Sequence, residues 1–364
     1  MAQPTDLREL HRRVQGAVDA QIAAASHDLA EIGPELAPLI DAVAALLTGG
    51  KGLRASFLYW GHRAAGTPDS PELVRLAASM EFFQGAALLH DDVMDQSDTR
   101  RGMPSAHRAI ATLHEQRGWA GDPGRFGEGA AILAGNLCLT WCDQLYATCG
   151  LPAGDLARGR DLFDRMRTQL MGGQFLDLLE SARGWDGLGL DERLASARNV
   201  IRYKSAKYTI EQPLLIGALV GGVGDEAVPH LSSFGLALGE AFQLRDDLLG
   251  VFGDPEATGK PAGDDLREGK RTALIAYALD AAEPADQHTL EAQLGQDDLD
   301  QAGVNELRDI IKRSRAVDRV EGLIDSCVDE ARTSLAAAAA AGGLDLDAVE
   351  VLDELVLIST ERRS

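Results

Sequence analysis

Apolar residues recur along this chain at spacings of three and four almost everywhere, and the alternation that marks a strand appears almost nowhere. The pattern predicts about ten helices or more. Breakers separate them at Gly49-Gly50, Gly66-Thr67-Pro68, 117–129, Gly150-Leu151-Pro152, 184–189, 221–229 and 253–269. Residues 129–147 and 212–220 are apolar on most faces, which suits the centre of a bundle. The alanine run from Ala336 to Ala341 reads as helix. Neither a composition shift nor a long linker divides the chain, so residues 1–364 are expected to form a single all-α domain.

Composition sharpens this picture. The chain has 364 residues, 45% of them hydrophobic and only 5% aromatic, so core material is ample and mostly aliphatic. A formal charge of −22 argues against nucleic acid as a partner held by a general basic surface. The four cysteines (Cys138, Cys142, Cys149, Cys327) lack zinc-site spacing and are expected to be reduced core residues. Residues 1–25 show no signal-peptide core, and no uncharged apolar run is long enough to span a membrane, so a soluble cytoplasmic protein is expected.

The chemistry concentrates in two acidic clusters. One reads His90-Asp91-Asp92-Val93-Met94-Asp95 and the other Gln243-Leu244-Arg245-Asp246-Asp247. Each follows an apolar helical run, Phe82 to Leu89 and Phe234 to Leu244. Asp91 and Asp95 lie four apart on one helical face, where like charges repel unless a cation sits between them. Carboxylates on adjacent turns can hold Mg²⁺ while leaving positions open for water and phosphate oxygens. Asp246 would offer a further ligand from the opposite wall.

Basic residues accompany both clusters. Lys51 and Arg54 stand at a glycine-flanked helix start, a place that suits an anion. Arg100 and Arg101 follow the first cluster and could hold separate phosphates. A glycine-rich loop after the second cluster carries Lys260 and Lys270 and reads as a lid. Acid, base and an apolar bundle together suit a diphosphate with a hydrocarbon tail.

These motifs resemble the trans-isoprenyl diphosphate synthases, or polyprenyl synthetases, over about residues 49–272. The residues are HDDVMD with RRGMP, then FQLRDD, then GKPAGDDLREGK, and the wording is similar to geranylgeranyl-type synthases of actinobacteria. The resemblance implies an isoprenoid-synthase-type helical bundle around a deep central cavity, three Mg²⁺ ions and a homodimer. By resemblance, Asp91 and Asp95 bind two Mg²⁺ and Asp246 the third. Arg100, Lys204 and Lys260 would hold the allylic diphosphate, and Lys51, Arg54 and Arg101 that of isopentenyl diphosphate. Lys204, Ser205 and Gln243 would turn their polar groups toward the developing carbocation, and Phe242 would border the isopentenyl tail. Three positions depart from the usual pattern. Gly250 stands where many members carry a third Asp of the second cluster. Gln84 stands where many carry a His that contacts isopentenyl diphosphate, and Gln can still donate a hydrogen bond. Asn136 replaces a frequent Asp.

The resemblance also bears on product length. Ala86 and Ala87, five and four residues before Asp91, are small where members that stop at fifteen carbons carry bulky groups. Phe82 and Phe83 lie about 5 Å deeper, roughly one isoprene unit. A floor near Phe83 implies the twenty-carbon geranylgeranyl diphosphate. The alternatives are a synthase of twenty-five carbons or more and a non-catalytic subunit of a heteromeric synthase. His90-Asp91 with His62 also fits an HD phosphohydrolase, a reading that leaves the second cluster unexplained.

Overall fold

The computed structural model describes residues 7–254, 263–296 and 298–360. The described residues are helical apart from loops and one short antiparallel ribbon. They fall into two compact units, Met1–Arg160 with Ile216–Val223, and Asp161–Leu215 with Gly224–Ser364. Two of the boundaries lie inside helices α7 (Ala153–Arg183) and α9 (Gln212–Gly221), where no linker could announce them, and the third follows Val223, within the breaker 221–229.

The first unit contains α1 (Leu7–Ala30), α2 (Ala37–Leu47), α3 (Leu53–Ala64), α4 (Pro71–Met94), α5 (Ala106–Arg117) and α6 (Pro123–Thr148). Helix α4 is central and packs along α6, α1 and α3. Its start is written locally. Ser70 is extended and its Oγ accepts the Leu73 amide at 3.1 Å, with Pro71 in the first turn. Leu76, Met80, Phe82, Phe83, Ala86 and Leu89 are all buried, each large side chain contributing about 1.5–3 kcal/mol. Helix α6 starts in the same manner, with Asp122 Oδ1 accepting the Arg125 amide at 2.7 Å. Gly127 lets α6 approach α5 closely, because a Cβ there would stand 2.1 Å from the His107 carbonyl oxygen.

A two-stranded ribbon, β1 (Thr99–Arg100) paired with β2 (Met103–Pro104), follows α4. Its two turn residues, Arg101 and Gly102, have φ of 54° and 74°, the geometry of a tight hairpin of the primed kind. Strands of two residues are too short to show a period, which is why the alternation was invisible.

The second unit contains α8 (Leu190–Val200), a π-helix (Ile201–Glu211), α10 (Val228–Phe252), α11 (Asp264–Arg267), α12 (Ala273–Ala281), α13 (Pro284–Gln293), α14 (Gln301–Arg313), α15 (Ala316–Ala340) and α16 (Leu346–Thr360). Here α10 is central, packed along α15 and the π-helix. Leu231, Phe234, Leu238, Ala241 and Leu244 fill its buried face. Arg245 clamps it from one side, donating to both Glu321 carboxylate oxygens at 2.6 and 2.7 Å and to the Thr360 carbonyl at 3.1 Å. All four cysteines are buried and free, as expected. No described helix is long and apolar enough to cross a membrane.

Candidate functional site

In the first unit, the acidic cluster is the C-terminal end of α4, with Asp95 as its cap. That end already carries the negative pole of the helix, so carboxylates there need a cation more than they would elsewhere. One is supplied by the ribbon. Arg100 Nε donates to Asp92 Oδ1 at 2.8 Å, its Nη2 reaches the same oxygen, and Asp91 Oδ2 lies 3.7 Å away. The Asp92 side chain is only 2% exposed, against 19% for Asp91. Asp92 thus anchors the arginine while Asp91 and Asp95 stay reachable. His90 Nε2 lies 3.2 Å from the Ile132 carbonyl. A carbonyl only accepts, so this nitrogen carries the proton. Gly135 makes room for the ring, since a Cβ there would stand 2.2 Å from Nε2.

The basic residues of this unit gather beside α2 and α3. Helix α3 starts after Gly52, which is left-handed, so Lys51 lies exposed in the loop and Arg54 in the first turn, as the sequence suggests. Arg101 Nη1 donates to the Leu46 carbonyl at 2.7 Å, tying the hairpin turn to the end of α2. Glu81 on α4 was not singled out from the sequence. Burial pushes its carboxyl up, while Arg54, the Ala55 amide, His11 and Arg101 pull the other way. One carboxylate therefore sits amid Arg54 and Arg101. Gln84 lies three residues on, on the same side of α4. Phe82, Phe83, Ala86 and Ala87 are buried, and Phe82 meets the Trp141 ring edge-to-face at 5.9 Å.

In the second unit, Lys204 and Ser205 lie in the π-helix, an element often found at functional positions. Lys204 Nζ and Lys270 Nζ converge on Asp177 Oδ2, at 2.5 and 3.1 Å. Burial raises the Asp177 carboxyl, but the two lysines outweigh it and hold the group below its ordinary value. Asp177 also escaped the sequence reading. Its signal was a lone carboxylate within the greasy run Leu170 to Leu179, beside the buried Gln174.

On α10, Asp246 is exposed and Asp247 is buried. Gln243 Nε2 donates to Asp247 Oδ1 at 2.7 Å. Burial pushes the Asp247 carboxyl well up, repulsion from Asp265, Asp246 and Asp177 adds to this, and the Gln243 bond opposes it. Phe242 is buried one position before Gln243. Lys260 lies outside the described residues, as does most of the glycine-rich loop before Gly263.

Divalent cations fit this donor set. Among the described residues no three Asp, Glu, His or Cys side chains form a closed cage. Mg²⁺ is commonly held by one or two carboxylates, with substrate phosphates and waters completing its octahedron. The crowding of Asp246, Asp247 and Asp265 is the charge arrangement that such an ion relieves.

The polyprenyl synthetase family model matches residues 37–311. The chain belongs to the polyprenyl synthetase family. It is 32% identical over 321 residues to the geranylfarnesyl diphosphate synthase of Aeropyrum pernix, covering 86% of this chain and 91% of that one. It is 30% identical to the geranylgeranyl diphosphate synthase of Sulfolobus acidocaldarius, over 82% and 79% of the two chains. Among solved structures, the geranylgeranyl pyrophosphate synthase of Corynebacterium glutamicum, crystallised with isoprenyl diphosphate and magnesium, superposes with a TM-score of 0.91. That pair is 36% identical, with 99% of this chain and 100% of the other covered. A polyprenyl synthetase accounts for the acidic helix ends and for the cationic side chains beside them.

Proposed function

We propose that this polyprenyl synthetase is a trans-prenyltransferase that condenses isopentenyl diphosphate with an allylic diphosphate, releases diphosphate, and yields geranylgeranyl diphosphate. The observation that carries the reading is the pairing of carboxylates with basic side chains on largely apolar helices in both units. Asp91 and Asp92 meet Arg100 at the end of α4, and the Asp246-Asp247 pair shares a unit with the Asp177-linked lysines Lys204 and Lys270. Such pairing suits a polar head whose tail must be kept from water.

In this proposal Asp91, Asp95 and Asp246 hold three Mg²⁺, which when bound offset the diphosphate charge and make it a better leaving group. Arg100, Lys204, Lys260 and Lys270 bind the allylic diphosphate. Asp177 keeps Lys204 and Lys270 together until a phosphate competes for them. Lys51, Arg54 and Arg101 bind the isopentenyl diphosphate, with Glu81 orienting the two arginines and Gln84 donating a hydrogen bond. The allylic C–O bond breaks, the isopentenyl double bond attacks the cation, and the proton lost from the adduct goes to the released diphosphate. Lys204, Ser205 and Gln243 face the cation with polar groups, while Phe242 and the apolar helices exclude water.

The whole chain acts as one catalytic domain in this reading, in the cytoplasm and as a homodimer. Phe126, Ile132 and Leu133 of α6 are exposed apolar residues of the kind a second copy covers. The test is direct. The purified chain is incubated with Mg²⁺, radiolabelled isopentenyl diphosphate and dimethylallyl, geranyl or farnesyl diphosphate, and the products are sized. A twenty-carbon product is expected, absent with EDTA. A longer product selects the alternative that the Aeropyrum relative favours, and no incorporation with any starter points to a non-catalytic subunit and overturns the proposal.

A further inference from the structure

Gly250 lies four residues after Asp246 on α10, so the two positions share a face of the helix. The second acidic cluster lacks a carboxylate at this position. The space is nevertheless filled. A Cβ built on Gly250 would stand 1.9 Å from Oδ2 of Asp265 and 2.4 Å from its carboxyl carbon. The Asp265 carboxylate therefore rests against bare α10 backbone, where a side chain at 250 would begin.

Asp265 is held there by its own segment. Gly263, at a φ of +81°, donates its amide to the Gly250 carbonyl at 3.2 Å, which docks the start of α11 on α10. Leu266 is buried in the core, and its carbonyl accepts the Gly295 amide at 2.9 Å. The Lys270 amide donates to the Asp265 carbonyl at 3.0 Å, so the segment that positions Asp265 leads directly into Lys270. Asp265 also stands close enough to Asp247 to repel it. A side chain at 250 and the carboxylate of 265 exclude one another.

We propose that Asp265 supplies the carboxylate that the second cluster lacks at position 250, so that a divalent cation at Asp246 is held jointly by α10 and α11. The proposal rests on the prenyltransferase reading and adds a metal-holding residue from another part of the chain. It also gives Gly250 a reason: any larger residue would evict Asp265.

Binding of Mn²⁺, as a stand-in for Mg²⁺, to the full chain with inorganic diphosphate tests this through the electron paramagnetic resonance of the free ion. Asp246→Asn defines which sites belong to α10. Asp265→Asn removes the charge at nearly constant shape, and Gly250→Ala leaves the charge but pushes it aside. Both are expected to weaken the site that Asp246→Asn removes by about tenfold. The exchange Gly250→Asp with Asp265→Ala should return it to near the wild-type affinity. Wild-type affinity in Asp265→Asn, with the site lost in Asp246→Asn, overturns the role of Asp265 and leaves the prenyltransferase reading standing. So does an exchange variant as weak as Asp265→Asn. Unchanged binding in Asp246→Asn together with no prenyl product overturns both.

Discussion

Asp92 and Asp98 lie six positions apart and differ sharply in what an arginine does for them. Asp92 is 2% exposed at its side chain and pairs with Arg100, itself 17% exposed. Asp98 and its partner Arg108 are 78% and 44% exposed. Breaking a buried pair by removing one partner leaves an uncompensated charge, at a cost of about 3 kcal/mol or more, whereas an exposed pair contributes about 0–1 kcal/mol. Asp92→Asn should therefore lower the thermal midpoint clearly and Asp98→Asn hardly at all. His62 gives a second expectation. It is buried, its Nδ1 lies 2.6 Å from the Thr67 hydroxyl, and burial lowers it from 6.5 to about 4, against Asp155 and aided by Arg63 and Arg158. The unfolded chain takes up this proton at a higher pH than the folded one. The stability it contributes is thus complete above about pH 6.5 and is lost as pH falls toward 4, by at most about 3 kcal/mol. His62→Gln should flatten that part of a melting-versus-pH curve; a curve parallel to the wild type would refute it. Residues such as Asp91, Arg100 and Lys204 were legible because they sit in distinctive words. Asp177 and Glu81 were not, because their meaning comes from what folding places beside them, and Asp265, although inside the word GKPAGDDLREGK, meets Gly250 only in the fold.

The π-helix shows the same limit at the scale of elements. Periodicity predicts a helix through Lys204 and Ser205, but it does not say that the helix is wound with bonds to the fifth residue back, as in the Gln212 amide to the Lys207 carbonyl. What the sequence does carry is glycine in its neighbours. A Cβ on Gly173 of α7 would stand 2.4 Å from the Tyr203 backbone, one on Gly239 of α10 2.6 Å from Ala206 Cα, and one on Gly235 2.5 Å from Glu211 Cα. Three glycines thus admit backbone where side chains normally keep helices apart. Helix propensity favours Ala over Gly by about 1 kcal/mol, but overpacking costs about 1–3 kcal/mol, and backbone cannot swing aside as a side chain can. Gly239→Ala should therefore destabilise the chain. Gly16→Ala should stabilise it by up to about 1 kcal/mol, because Gly16 lies exposed in α1 with nothing within 4 Å of its Cβ position. Denaturant melts of the two variants check the contrast, and a stabilised Gly239→Ala would show that the close approach is not real. Helix starts carry a more local signal, Ser70-Pro71 and Asp122-Pro123 each giving a cap and a first turn, yet the glycines around the second made 117–129 read as a breaker although α6 already starts at Pro123.

At the scale of the whole molecule, the property hardest to read from words is product length, because it depends on a volume and not on a motif. Phe82 and Phe83 are adjacent on α4 and both fully buried, yet they point about 100° apart. Phe82 meets the ring of Trp141 on α6 edge-to-face, a contact that suits core packing. Phe83 lies four residues before Ala87 and eight before Asp91, and the tail of a diphosphate held at Asp91 would run toward it over about 12 Å. If Phe83 forms the floor, Phe83→Ala opens one further isoprene unit, and the dominant product should move from twenty carbons to twenty-five or more. Phe82→Ala should instead lower stability by about 3–5 kcal/mol, the usual cost of emptying a buried aromatic site, while leaving the product length unchanged. Sizing the products of both variants against wild type decides between them. Unchanged length in Phe83→Ala removes it as the floor, and a lengthened product in Phe82→Ala transfers the role to its neighbour. The relatives named for twenty- and twenty-five-carbon products are similar to this chain to nearly the same degree, at 30% and 32% identity. Overall similarity therefore cannot set the length, and the shape of the space beside α4 must.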